Sequence, residues 1–140
     1  MNFADIEEGQ VLEELKKPAI TKVQLVKYAG ASGDFNPLHT DDEFARSIGM
    51  KGVLAHGMLI MGFLGEYVAK LAGDDAEVRR FRMRFGAMTY PGDEIVCGST
   101  VKKIYEDEGS RYIELDLHAK KSGETDIVGS GSAVLQVIKK

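Results

Sequence analysis

Cysteine occurs once in the 140 residues, so an internal disulfide framework is excluded. That lone residue, Cys97, fits a reducing cytoplasm, and its place in an apolar-alternating run marks it as a buried, inert thiol. No Cys-x-x-Cys or His-x-x-x-His spacing occurs, so the common arrangements of zinc ligands are missing. Basic residues are not in excess: 18 Lys and Arg against 22 Asp and Glu leave a net charge of −4. That balance speaks against a general nucleic-acid binder. The opening residues lack a positive segment leading into an apolar one, so no secretory signal is expected. The longest apolar stretch, 53–71, is interrupted by His56, Glu66 and Lys70. It reads as a buried helix rather than a membrane span. Internal repeats and low-complexity tracts are also missing.

What remains is an ordinary globular composition, 44% hydrophobic and 29% charged. The length favours one domain over residues 1–140. A chain of this size buries roughly 70% of the surface it exposes when unfolded, enough for a substantial core.

Residues 11–15 suggest an edge strand ending before Pro18. Thr21 is the expected N-cap of a helix carrying Val23, Leu25, Val26 and Tyr28, broken by Gly30 and Gly33. Thr40 and Glu43 have capping-box spacing, which predicts a short helix stopping at Gly49. From Ala55 to Ala72 the chain is apolar on nearly every side, the pattern of an enclosed helix. Gly57, Gly62 and Gly65 weaken that helix and imply close approach by a sheet or a ligand. After Val78 the period becomes two, giving four strands around 78–85, 95–99, 113–117 and 127–138. Short loose turns fall near 106–110 and 120–125. One enclosed helix followed by an antiparallel meander predicts an α+β domain whose sheet wraps the helix.

The segment from Tyr28 to His39 carries the chemistry. Gly33 allows a tight turn before Asp34, and Pro37 holds Asn36 extended. Asp34 and His39 thus come from one constrained loop, and a carboxylate with an imidazole suits paired proton transfer near neutral pH. Asn36 lies between them and is placed to orient one partner or the substrate. Spacing alone leaves a second reading open, with Asp34 capping a turn and His39 packing on the loop. Ala55-His56-Gly57-Met58 then opens the enclosed helix. Its free N–H groups and positive dipole end suit a developing oxyanion, and Gly57 presents such an N–H without a side chain. His56 is either a third catalytic group or a hydrogen-bonded structural histidine.

Tyr28-Ala29-Gly30-Ala31-Ser32-Gly33-Asp34-Phe35-Asn36-Pro37-Leu38-His39, His56-Gly57-Met58 and Tyr90-Pro91-Gly92-Asp93 together resemble the MaoC-type dehydratases. These are R-specific enoyl-thioester hydratases of hot-dog fold, and the resemblance runs over nearly the whole chain. It is also similar to the small single-hot-dog dehydratase subunits of type II fatty-acid synthesis. The resemblance implies that Asp34 and His39 hold a water and that the Gly57 N–H binds the thioester oxygen. Asn36, His56 and Met58 would lie against the substrate. No cofactor is implied, because coenzyme A or an acyl carrier protein arrives as part of the substrate. A serine found in some of these hydratases on the central helix is replaced by Gly65, leaving room for a longer acyl chain. In the hydration direction His39 is expected to act as base toward water and Asp34 as acid toward C2.

Three other readings bear on this one. A metal site from Asp34, His39, Asp41 and His56 lacks ligand spacing. Arg79, Arg80, Arg82 and Arg84 form either a solvated strand face or a patch for coenzyme A phosphates or an acidic carrier protein. A non-catalytic acyl-thioester-binding or support subunit is the alternative function. An open sheet edge calls for a partner, so a homodimer or higher is expected, with a heterodimer as the variant.

Overall fold

The computed structural model describes residues 2–138. After a two-residue strand β1 (Leu15–Lys16) come helices α1 (Lys22–Ser32), α2 (Asp42–Ser47) and α3 (Gly57–Ala72). Four long strands follow: β2 (Ala76–Phe85), β3 (Ile95–Asp107), β4 (Ser110–Lys121) and β5 (Ile127–Val137). They form one antiparallel sheet in the order β1-β3-β4-β5-β2. The sheet curls around α3, as the hot-dog expectation requires.

Only β3, β4 and β5 are a meander. β2 pairs with β5 at the far edge, Phe81 opposite Ala133, so it is not the neighbour of β3. The link from β2 to β3 therefore crosses from one side of the sheet to the other, and on the way residues 86–89 pass the start of α3. Val11 contributes an isolated bridge to Thr100 instead of a strand over 11–15. The 106–110 and 120–125 stretches are hairpin turns, the first with Glu108 and Gly109 at positive φ.

The caps explain the helix limits. Thr21 accepts from the Gln24 N–H while the Gln24 side chain receives the Thr21 N–H, a complete capping box. Gly30 does not break α1. The helix runs through it and ends at Gly33, whose φ of 77° is the left-handed conformation that glycine tolerates. The N-cap of α2 is Asp41, not Thr40. Asp41 Oδ1 accepts from the Glu43 and Phe44 N–H groups at 3.0 and 3.2 Å. Thr40 is already committed as the C-cap of the preceding 3-10 turn (Pro37–His39).

Helix α3 is not enclosed on every side. Leu59, Ile60, Phe63, Leu64, Tyr67, Val68 and Ala72 are buried against the sheet, whereas Met58 and Gly62 face out. Two of its glycines, Gly57 and Gly65, meet side chains rather than backbone. A Cβ on Gly57 would lie 3.1 Å from the Phe85 ring and one on Gly65 would lie 3.5 Å from Phe81. The space expected beside Gly65 is therefore closed by Phe81, while nothing lies within 4 Å of Gly62. Cys97 is fully buried, and desolvation pushes its thiol up to about 12. An inert thiol is what such burial gives.

Candidate active site

Most of the polar groups at the site come from residues 28–57, with Thr89 added from the segment that crosses the sheet. The Asp34 N–H donates to Ser32 Oγ, and Asp34 Oδ1 accepts the Asn36 N–H, both at 3.2 Å. One carboxylate oxygen is thereby committed to the loop. The other, Oδ2, faces His39 Nε2 at 3.9 Å. That is too long for a direct hydrogen bond, but it suits two groups that share a water or a hydroxyl.

His39 ends the 3-10 turn, and its Nδ1 lies 2.7 Å from the Leu54 carbonyl. A carbonyl only accepts, so Nδ1 carries the proton and Nε2 keeps its lone pair toward Asp34. The ring is 9% exposed while the Asp34 side chain is half exposed, so the acid stands in front and the base behind.

His56 is the N-cap of α3 but makes no side-chain capping bond. Its Nε2 donates to the Asp34 carbonyl at 3.1 Å. Its ring stacks on His39 at 3.8 Å and meets the edge of Tyr28 at 4.8 Å. With its side chain turned inward, the first N–H groups of α3 are left to the open side, and Gly57 supplies the first. A cavity of about 280 Å³ opens there, lined by Asp34, Gly57 and Met58 and by residues 85–89 of the crossing segment. Ile60 and Val128 form part of the remaining lining.

The structure thus brings Asp34, His56, Gly57 and Met58 to one cavity and sets His39 directly behind Asp34. Asn36 is not part of that wall. Its side-chain oxygen accepts the Leu38 N–H at 3.0 Å and caps the 3-10 turn, so it shapes the loop through its own backbone. Asp41 is likewise engaged as a helix cap, which removes it from any ligand cluster. The donor atoms of Asp34, His39 and His56 do fall within 4.8 Å of one another. Rings stacked face to face aim their in-plane lone pairs along nearly parallel lines, however, and one nitrogen of each is engaged by a carbonyl. That geometry does not suit a chelate.

Sequence reasoning missed the Leu54 carbonyl, Phe85 and Thr89. A backbone acceptor leaves no signature in residue type, and the other two come from the crossing segment, whose path could not be read from the chain. Tyr90-Pro91-Gly92-Asp93 is architectural. Asp93 Oδ2 accepts the Tyr90 N–H at 2.8 Å and pairs with Lys121 at 3.2 Å, while the Gly92 N–H donates to Ile20.

The profile of the MaoC like domain matches residues 4–122. The chain belongs to the MaoC-like domain family. An (R)-specific enoyl-CoA hydratase from Rhodospirillum rubrum is 27% identical over 134 residues, spanning 95% of this chain and 90% of that protein. The fungal fatty acid synthase beta subunit TOXC of Cochliobolus carbonum is 31% identical over 104 residues, 73% of this chain. The match spans only 5% of that much larger subunit. Among solved structures, the (R)-hydratase from A. caviae involved in PHA biosynthesis superposes with a TM-score of 0.82 at 25% identity. That superposition covers 95% of this chain and 98% of the other. The ChsH1-ChsH2 complex from Mycobacterium tuberculosis gives 0.79 at 22% identity, covering 94% and 98%, and speaks for the hot-dog fold alone.

Proposed function

We propose that this MaoC-like protein reversibly adds water across the C2–C3 double bond of a trans-2-enoyl thioester, giving the 3R-hydroxyacyl thioester. The observation that carries the reading is the 3.9 Å space between Asp34 Oδ2 and His39 Nε2, next to the N–H-bearing start of α3. A water in that space meets an unprotonated imidazole nitrogen. As its oxygen bonds to C3, His39 takes one proton of the water, the C2–C3 π electrons shift toward the thioester carbonyl, and that proton passes from His39 through Asp34 to C2. The Gly57 N–H and the helix dipole stabilise the charge on the carbonyl oxygen. With the hydroxyl on C3 and the second hydrogen of the water on C2, both residues end the cycle as they began it. Dehydration runs the same steps backward, and no cofactor takes part beyond the handle of the thioester.

Coenzyme A and acyl carrier protein are the handles considered. On β2, Arg80, Arg82 and Arg84 are exposed on the face opposite Phe81, Met83 and Phe85. Arg82 and Arg84 share a shallow depression with Ser130 and Ser132, donors suited to a phosphate. A homodimer through the open β2 edge is part of this reading. A support role in a two-subunit dehydratase is the second reading, motivated by the likeness to the two-chain ChsH1-ChsH2 complex.

Mixing purified protein with trans-2-butenoyl-CoA and following the ultraviolet absorbance of the enoyl thioester tests the proposal. Loss of absorbance with formation of the 3R alcohol is expected. No turnover by the protein alone, but turnover on adding a partner chain, would favour the support role; no turnover in either case would sink both.

A further inference from the structure

Among the described residues, three buried side-chain polar atoms have no hydrogen-bond partner: His56 Nδ1, Thr89 Oγ1 and Arg111 Nε. Buried polar atoms are nearly always paired, so each calls for an explanation. Two of the three belong to residues that line the same cavity, the one that holds Asp34 and Gly57. His56 is 2% exposed and Thr89 is 3% exposed.

Their chemistry is complementary. His56 Nε2 must carry the ring proton, because it donates to the Asp34 carbonyl at 3.1 Å. In the neutral ring Nδ1 is then a bare acceptor in need of a donor. The Thr89 hydroxyl is a donor in need of an acceptor. The backbone sets the two side by side: the Ala55 N–H, one residue before His56, donates to the Thr89 carbonyl at 2.7 Å.

We propose that Thr89 is a positioning residue for the Asp34–His39 pair, acting through His56. Its hydroxyl donates to His56 Nδ1 across one bridging water, and so holds the tautomer whose Nε2–H grips the Asp34 backbone. The same ring is the surface on which His39 stacks, so a single hydroxyl on the crossing segment fixes both members of the pair. Without it, the bare Nδ1 competes for the ring proton. In the other tautomer Nε2 would face the Asp34 carbonyl with a lone pair, which repels it.

The kinetic part of the test rests on the hydration reading, and the spectroscopic part does not. Thr89→Val keeps the shape and removes the hydroxyl; Thr89→Ser restores the hydroxyl. For Thr89→Val, kcat on trans-2-butenoyl-CoA is expected to fall about tenfold with KM within about twofold, the mark of misplaced reacting groups. Thr89→Ser should recover most of the loss. In two-bond proton–nitrogen spectra of the imidazoles, His56 should change from a single Nε2-protonated form to a tautomer mixture in Thr89→Val only. An unchanged His56 spectrum in Thr89→Val overturns the proposal whether or not the protein hydrates thioesters. Equal losses in the Val and Ser variants also overturn it, since packing rather than the hydroxyl would then be responsible.

Discussion

At the level of single residues, the nitrogen of His39 that meets a carbonyl decides what the other nitrogen offers. The Leu54 carbonyl holds the proton on Nδ1 and leaves Nε2 facing Asp34. Asp34→Asn keeps the size of the side chain but not its acidity, and His39→Ala removes the imidazole. Each should lower kcat for trans-2-butenoyl-CoA by about 10²–10⁴-fold, read in the absorbance assay, with circular dichroism unchanged. If both variants kept near-full activity, the pair would not be the catalytic groups. Arg82→Ala with Arg84→Ala should raise KM for a coenzyme A thioester and leave an N-acetylcysteamine thioester, which has no phosphate, unaffected. Equal effects on the two substrates would dismiss a phosphate contact. Much of this residue scale was legible in the chain. Asp34, His39 and Gly57 stand in a loop and a helix start whose local chemistry dictates their presentation. Asn36 holds Asp34 through its own N–H, while its side-chain oxygen, two residues before a free N–H, is captured locally.

Among the elements, capping and glycine contacts separate positions that look alike in sequence. Gly30 lies inside α1 with nothing within 4 Å of its missing Cβ, whereas a Cβ on Gly131 would run into the Arg82 carbonyl of the adjacent strand. Gly30→Ala should therefore stabilise the protein by about 0.5–1 kcal/mol. Gly131→Ala should destabilise it by about 1–3 kcal/mol or more, since backbone cannot yield as a flexible side chain does. Urea midpoints compare the two directly, and shifts of the same sign would contradict the packing described. Thr21 and the end at Gly33 follow from local chemistry and were legible. The choice of Asp41 over Thr40 was not, because it depends on the 3-10 turn that occupies Thr40 first.

The whole molecule adds what neither residue nor element could show. Period-two runs gave the strands, but not that β2 would pair with β5 at the far edge. That pairing joins residues roughly fifty apart in the chain, and only the closed core selects it. The unpaired edge of β2 and the uncovered side of α3 lead to the expectation of a second chain, so light scattering should give a mass of at least two chains. A mass of one chain at every concentration would contradict it. Stability should form a plateau with two limbs. Hydrogen bonds and ion pairing with Lys17, Lys70 and Lys22 lower the carboxyls of Glu66 and Asp42 from their ordinary 4.5 and 3.8. Their contribution is present above those values and is lost as pH falls through the lowered ones. Burial raises Cys97 from 9.0 to about 12, so the unfolded chain gives up that proton first and stability falls as pH climbs from about 9 toward 12. Thermal melts across pH would show both limbs. The placing of Asp34 beside His39 carries a last consequence, one of handedness. In the proposed reaction both proton-transfer groups, Asp34 and His39, stand together on one side of the substrate, and Phe85, Ala87 and Met88 add apolar lining to the cavity. A flat alkene presented to that pair meets it with one face, so oxygen and hydrogen would arrive from the same side. In heavy water, a single enantiomer with deuterium added syn is the product such a cleft would make.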